Sequence, residues 1–518
     1  MKHIIMCVTL IVSMVYASGA YAAAYGWSGF GGESNEWSNA DNWTNVIDSS
    51  TGVPGAGDDA LFPKADVAPP STTVALDSDV SINNIVLGNS FGGMNITGAY
   101  TLTITASAPV LWGANYYGGH AMLDCKLVFP NVGADIVWVN FNQEFTLNGD
   151  VELPIGNTTR QLIVNGENAK TVFNGQLRGY DSGTSQRLNF FCNPADGMVE
   201  LGTQHDPLRA VMCRKGTLIL KGNWDAPNGD TAHSVGFPNW DGNTPRRIWV
   251  VAEETGTAVF SNRFSFLPRG DTTRYQEFAV KAPTINAICV GQVRIDDKIW
   301  WFVEPGSYLK LAGGINKGDS AAQHGVYVDG GGTTDIARAA LTTFEIPFII
   351  SNGVVLANNG ATGLATHGPV TVCEQGVLGG EGGVGALFTE SGARITPGNS
   401  VGTLSVSNNC ALAAGTIIDW DVQDATADLL QVYGTLDLSA GIVTVRVHGA
   451  TAEYETNAVM AYATLLGSKD NVVLDLSMSE LEDGVVLDDG AQILVTGLVP
   501  EPGLLGAAAL ALLGWKRR

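Results

Sequence analysis

Four aspartates within ten residues, Asp419, Asp421, Asp424 and Asp428, form the densest grouping of chemistry-bearing side chains in the sequence. Oxygen-rich clusters suit calcium, and in a strand Asp419 and Asp421 share a face because side chains alternate with a period of two. No EF-hand loop or glycine-aspartate nonapeptide accompanies them, so a solvated acidic face with turn bonding is the plainer expectation and a calcium site the sharper one. Asp58-Asp59 and Asp488-Asp489 lie beside glycines and read as turns. His120, His205, His233, His324, His367 and His448 are scattered, with no HExxH and no His-x-His pair, which leaves metal-dependent hydrolysis without support. The mixed polar segment from Glu200 to Arg214, with His205, Asp206 and Arg209, reads as a surface loop before it reads as a catalytic patch. No GxSxG elbow, Walker loop or dinucleotide fingerprint stands in the context it needs. Cleavage of a glycan would require paired carboxylates, or a basic residue, brought together from neighbouring segments.

Positioning such groups falls to short strands. Alternating runs recur at Val74 to Leu76, Tyr100 to Thr105, Thr217 to Lys221 and Val443 to Val447. Between them stand dipeptides that readily supply positive φ: Asn148-Gly149, Asn165-Gly166, Asn174-Gly175, Asn228-Gly229, Asn352-Gly353, Asn359-Gly360, Asp483-Gly484 and Asp489-Gly490. The predicted class is all-β. The block Gly-Thr-Leu returns at 216–218, 402–404 and 434–436, and similar strand-and-turn words far apart, with no fixed period, predict a drifted solenoid in preference to several sandwiches.

Composition bounds the partners. The 518 residues are 45% hydrophobic, which argues against disorder, and the 64 glycines follow no collagen triplet. A formal net charge of −23 repels nucleic acid and anionic lipid, so no nucleic-acid partner is expected; an acidic polysaccharide would need bridging divalent cations. The two ends supply an address. Met1-Lys2-His3, the apolar run Ile4 to Tyr16 and the small-x-small site Ala20-Tyr21-Ala22 read as a secretory signal peptide removed before Ala23. At the other end Pro500-Glu501-Pro502 precedes an apolar stretch from Gly503 to Trp515, and Lys516, Arg517 and Arg518 close the sequence. As a helix that stretch reaches roughly 20 Å against the ~30 Å of a bilayer core, a marginal span suited to temporary retention. Export would place Cys125, Cys192, Cys213, Cys289, Cys373 and Cys410 in an oxidising compartment, where bridges can persist. Their wide spacing without a CxxC argues against zinc, and buried free thiols are the default.

Hinge, short apolar helix and basic stop together resemble the PEP-CTERM sorting signal of Gram-negative bacteria. The resemblance implies that Pro500 to Pro502 is read by exosortase, a membrane protease-transpeptidase, and that transient membrane anchoring ends at the cell surface or in an extracellular polysaccharide matrix. A second likeness covers about 350 to 446, with Gly368 to Val372, Gly376 to Val384, Ser391 to Ser400, Val401 to Leu404 and Asp428 to Leu436. These words, above all Pro397-Gly398-Asn399-Ser400 followed by Val401-Gly402-Thr403-Leu404, resemble autotransporter-associated β-helix segments. That likeness implies a parallel β-helix serving adhesion or display. Trp37 to Trp43 and Gly52 to Phe62 also look like the segment that precedes the first rungs in such surface proteins.

The predicted organisation is thus a signal peptide (1–22), a Trp/Gly-rich leading segment (23–65), a β-rich solenoid-like region (66–345), an autotransporter-like β-helix (346–497) and a sorting tail (498–518). The expected function is that of an exported structural or adhesin-like protein. The alternative is a carbohydrate-active enzyme, a polysaccharide lyase or glycosidase, on the same scaffold. A third reading uses the N-terminal tryptophans as a sugar-stacking platform, although closing the end of a solenoid explains them more simply.

Overall fold

The computed structural model describes most of residues 23–500; residues 1–22, 501–518 and short internal stretches lie outside the description. The signal peptide, including Ala20 and Ala22, and the tail from Glu501 through Pro502 to Lys516, Arg517 and Arg518 therefore fall outside it. The described chain is all β apart from single turns of 3-10 helix, and it divides into two compact units, residues 1–219 and 220–518. Each is a parallel β-solenoid, and the coil makes about 11 turns in all. No helix among the described residues is long and apolar enough to cross a membrane.

In the first unit each turn contributes one strand to each of three columns. Val80–Ile82, Thr101–Ile104, Lys126–Val128, Val151–Leu153 and Leu177–Gly179 stack in parallel as one column. Register keeps like over like, so Leu102, Leu127, Val151 and Leu177 form a buried aliphatic row. Such rows are the main source of stability, at roughly 25 cal/mol per Å² of apolar surface removed from water. Their polar counterparts are ladders on the corners: Asn174 Nδ2 donates to Asn148 Oδ1 at 2.7 Å, and Asn148 Nδ2 to Asp124 Oδ1.

Those ladders correct part of the turn reading. Gly149 and Gly175 do not carry positive φ; glycine is needed there because a Cβ would press on the backbone of the rung before, 2.9 Å from Lys126 N and 2.8 Å from Asp150 N. Gly353, Gly360 and Gly490 do adopt the left-handed region, at φ 111°, 79° and 91°. Asp483-Gly484 is no turn at all but lies inside the strand Leu481–Asp488, whereas Gly166, Asn228 and Gly229 lie outside the described residues. The period drifts because corners differ in length. Bonds between neighbouring rungs join residues 20 apart at Thr366 and Ile346 and 29 apart at Arg446 and Asp475.

The tryptophans close an end of the first unit. Trp27, Trp37 and Trp43 pack with Phe62, Trp43 lying 4.6 Å from Trp37 and 5.0 Å from Trp27 between ring centroids. Trp43 is fully buried and Trp37 is 1% exposed, so neither ring face is open to a sugar. The stacking-platform reading is overturned, because the same indoles that would stack a glycan are consumed in sealing the core.

The second unit ends differently. Asn457–Ala461 receives an antiparallel partner, Gln492–Pro500, which returns as a hairpin with Leu481–Asp488. The other two columns stop at Thr464–Leu466 and Val472–Asp475. All six cysteines of the described chain are unbridged and all but Cys373 are buried; burial pushes the Cys289 thiol up to about 12.

Candidate functional site

Three consecutive rungs of the second unit build a charged cleft. Arg394–Pro397, Ile417–Gln423 and Val443–Ala450 stack in parallel, with Ile395 on Ile418 and Trp420 on Val447. Alternation sends Ile395, Ile418, Trp420, Val445 and Val447 into the core. It sends Asp419 and Asp421 outward, as their spacing predicts, and sets them opposite Arg446 and His448 of the next rung.

Asp419 is the electrostatic centre. Arg394 reaches across with Nη2 2.6 Å and Nε 2.9 Å from Oδ2, while His448 Nε2 lies 3.1 Å and Arg446 Nη1 3.5 Å from Oδ1. The side chain is 8% exposed, so losing hydration is costly, and the two guanidinium groups and the imidazole bond supply the compensation. Arg446 Nε continues to Asp475 Oδ2 at 3.3 Å, making a row of alternating charge up the rungs.

Asp428 arrives from the far side of a short loop. Its Oδ1 accepts from Gly402 N at 2.8 Å, its Oδ2 accepts from Asp421 N at 3.0 Å, and its carbonyl accepts from Trp420 Nε1 at 2.7 Å. The carboxylate thereby pins the Pro397 to Gly402 corner to the strand beneath. Burial pushes its pKa up to about 7; the two amide bonds pull against this, and the charges of Asp421 and Glu381 add to the rise. Asp421 is also raised, first by burial, with His448 opposing and Asp419 reinforcing.

These groups surround a cleft of about 370 Å³, lined by Thr396 to Ser400 on one side and by Asp419, Asp421, Asp428 and His448 on the other. Two separate sequence words, the Pro397 to Ser400 corner and the aspartate cluster, thus meet in one place. Asp424 lies outside the described residues. Arg394 and His448 were not singled out from sequence, although the outward members of the Val443 to His448 alternation, Arg446 and His448, mirror those of Ile417 to Val422 one rung earlier. Gly402 has no positive φ; the left-handed residue of this corner is Gly398, at φ 81°.

As chemistry, the cleft offers one carboxyl, that of Asp428, poised to exchange a proton near neutrality, with hydroxyl, amide and imidazole groups around it. Among the described residues no set of three or more His, Cys, Asp or Glu side chains is arranged to hold a metal ion, and Asp419 and Asp428 already spend their oxygens on internal partners. In the other polar patch, Glu200 pairs with Lys170 at 2.7 Å and Gln204 accepts from Leu177 N at 2.8 Å, both bonds between rungs; Asp206 and Arg209 lie outside the described residues. No protein-family model matches the chain, and no curated protein matches it.

Proposed function

We propose that this chain is an exported structural, adhesin-like protein of the bacterial cell surface or extracellular matrix, delivered there by an exosortase-type enzyme after transient anchoring. The observation that carries this reading over an enzymatic one is the state of the cleft: Asp419 is paired with two arginines and lies within hydrogen-bond reach of His448, and Asp428 is tied to two backbone amides. A general acid or nucleophile must be able to turn toward its substrate, and these two are committed to holding rungs together. The two ends of the sequence support the address, and a coil of stacked rungs suits display, since its outward faces repeat without disturbing its core.

A polysaccharide lyase or glycosidase on the same coil is the second reading. Asp421 and Asp428, both with raised pKa beside His448, are what favours it. Incubating the purified protein with acidic and neutral polysaccharides, and measuring both co-sedimentation and chain length, separates the two. Weak retention of glycan with unchanged chain length is expected. Chain shortening that disappears in Asp421→Asn would replace the structural reading with the enzymatic one.

A further inference from the structure

Two of the six cysteines meet on consecutive rungs of the first unit. Arg187–Asn193 and Ala210–Lys221 pair in parallel, with Phe190 opposite Cys213 and, after a bulge that skips Arg214, Phe191 opposite Lys215. The next step of that register sets Gly216 opposite Cys192. Both sulfurs come to this glycine: a side chain at 216 would begin 2.9 Å from Cys192 Sγ and 2.5 Å from its Cβ, and Cys213 Sγ lies 3.5 Å from the Gly216 carbonyl oxygen. Each cysteine is 1% exposed, and both are thiols in the structure.

The bulge is what brings them together. An extended strand would carry Gly216 about 10 Å beyond Cys213, too far for the sulfur of one to touch the carbonyl of the other. The contact therefore shows residues 213–216 drawn together, as bulged strands bend, and Cys213 drawn with them toward the residue that faces Cys192. The residue both sulfurs touch has no side chain and already sits at φ 91°, so its backbone can follow a further small shift at little cost. Other buried cysteines have different neighbours. Cys289 lies in register between Phe260 and Leu311, and Cys410 between Leu387 and Leu436, so hydrocarbon flanks each on the rung before and the rung after.

The geometry points to a redox-formed crosslink: Cys192 and Cys213 close a disulfide as the rungs stack under oxidising conditions, stapling two turns of the coil where the bulge interrupts their ladder. A small disulfide of the glutathione type is the oxidant. One cysteine thiolate attacks it and releases a first glutathione, leaving a mixed disulfide; the second thiolate attacks the protein sulfur of that bond and releases the other glutathione. Two protein thiols are oxidised, one small disulfide is reduced to two thiols, and the two thiol protons end on the glutathiones. Since both sulfurs are buried in the finished coil, the exchange belongs to folding. The pairing is argued from position alone and does not depend on where the chain is delivered.

Synthesis of the full chain in a cell-free mixture buffered with reduced and oxidised glutathione tests this. The soluble product is alkylated in denaturant and its peptides are mapped without reduction. A linked pair of peptides carrying Cys192 and Cys213 should hold most of both residues, and the bridged chain should melt about 5 °C or more above the same chain made in excess dithiothreitol. Cys192→Ala and Cys213→Ala should each abolish the link and leave the remaining partner alkylated. Recovery of both residues alkylated, capped by glutathione alone or joined to other cysteines overturns the pairing. A link that forms to the same extent when the reduced chain is oxidised in denaturant overturns it as well, because the fold would then have no part in choosing the partners.

Discussion

Asp428 does at the scale of one residue what a cap does for a helix: its side chain accepts from two backbone amides, those of Gly402 and Asp421. Its raised pKa makes that bond pH-dependent. Since the folded value, about 7, lies above the ordinary carboxylate value, the group favours the folded state fully below roughly pH 4, and that contribution is lost as pH rises through 7. Asparagine in its place has one acceptor oxygen, so it keeps one amide bond, loses the other and no longer titrates. Asp428→Asn should therefore melt lower than the parent at pH 5, by the worth of about one buried hydrogen bond (~1 kcal/mol), with the gap narrowing by pH 8. A gap independent of pH, read from melting curves across that range, would refute the assignment. The outward pairing of Asp419 with Asp421 was legible from the period of two. The role of Asp428 was not, because its partners are backbone amides that the fold alone brings near, one of them 26 residues away.

Corners and strands were legible to different degrees. Alternating runs such as Val443 to Val447 and the words around Pro397 to Ser400 gave the all-β solenoid, because inward and outward faces are written into every second residue. Corner geometry was not written there: a glycine tolerates positive φ and close approach alike, and the sequence does not say which one it serves. Gly398 serves both. A Cβ there would strain a backbone at φ 81° and press within 2.6 Å of Gly402 N, whereas at Gly402 it would meet the movable side chain of Glu381 at 2.8 Å and Gly398 Cα at 2.9 Å. Gly398→Ala should thus cost more than Gly402→Ala, the former on the order of 1–3 kcal/mol from backbone strain alone. Thermal melting of the two variants decides it, and the reverse ranking would place the critical corner at Gly402.

For the molecule as a whole, the acidic surface and the two terminal segments matter more than any one site. A net charge of −23 sets up a field that opposes the approach of polyanions and of like-charged copies. If Pro500 to Pro502 is the processing hinge, the form recovered from the surface of the native cell should lack Gly503 to Arg518, and intact mass measures this directly. A surface form that retains Lys516 to Arg518 would contradict delivery by a sorting enzyme. The unequal ends of the coil also give the protein a mechanical polarity. A load applied at the carboxyl terminus enters unit two through Gln492–Pro500, which is bonded to Leu481–Asp488 on one side and to Asn457–Ala461 on the other and, among the described residues, is backed by no disulfide, so the hairpin must be stripped before the turns behind it. A load at the amino terminus must first pull apart four interlocked aromatic rings. Each unit therefore offers a pulling force a different first point of yield: a bonded hairpin in the second, a sealed aromatic cluster in the first.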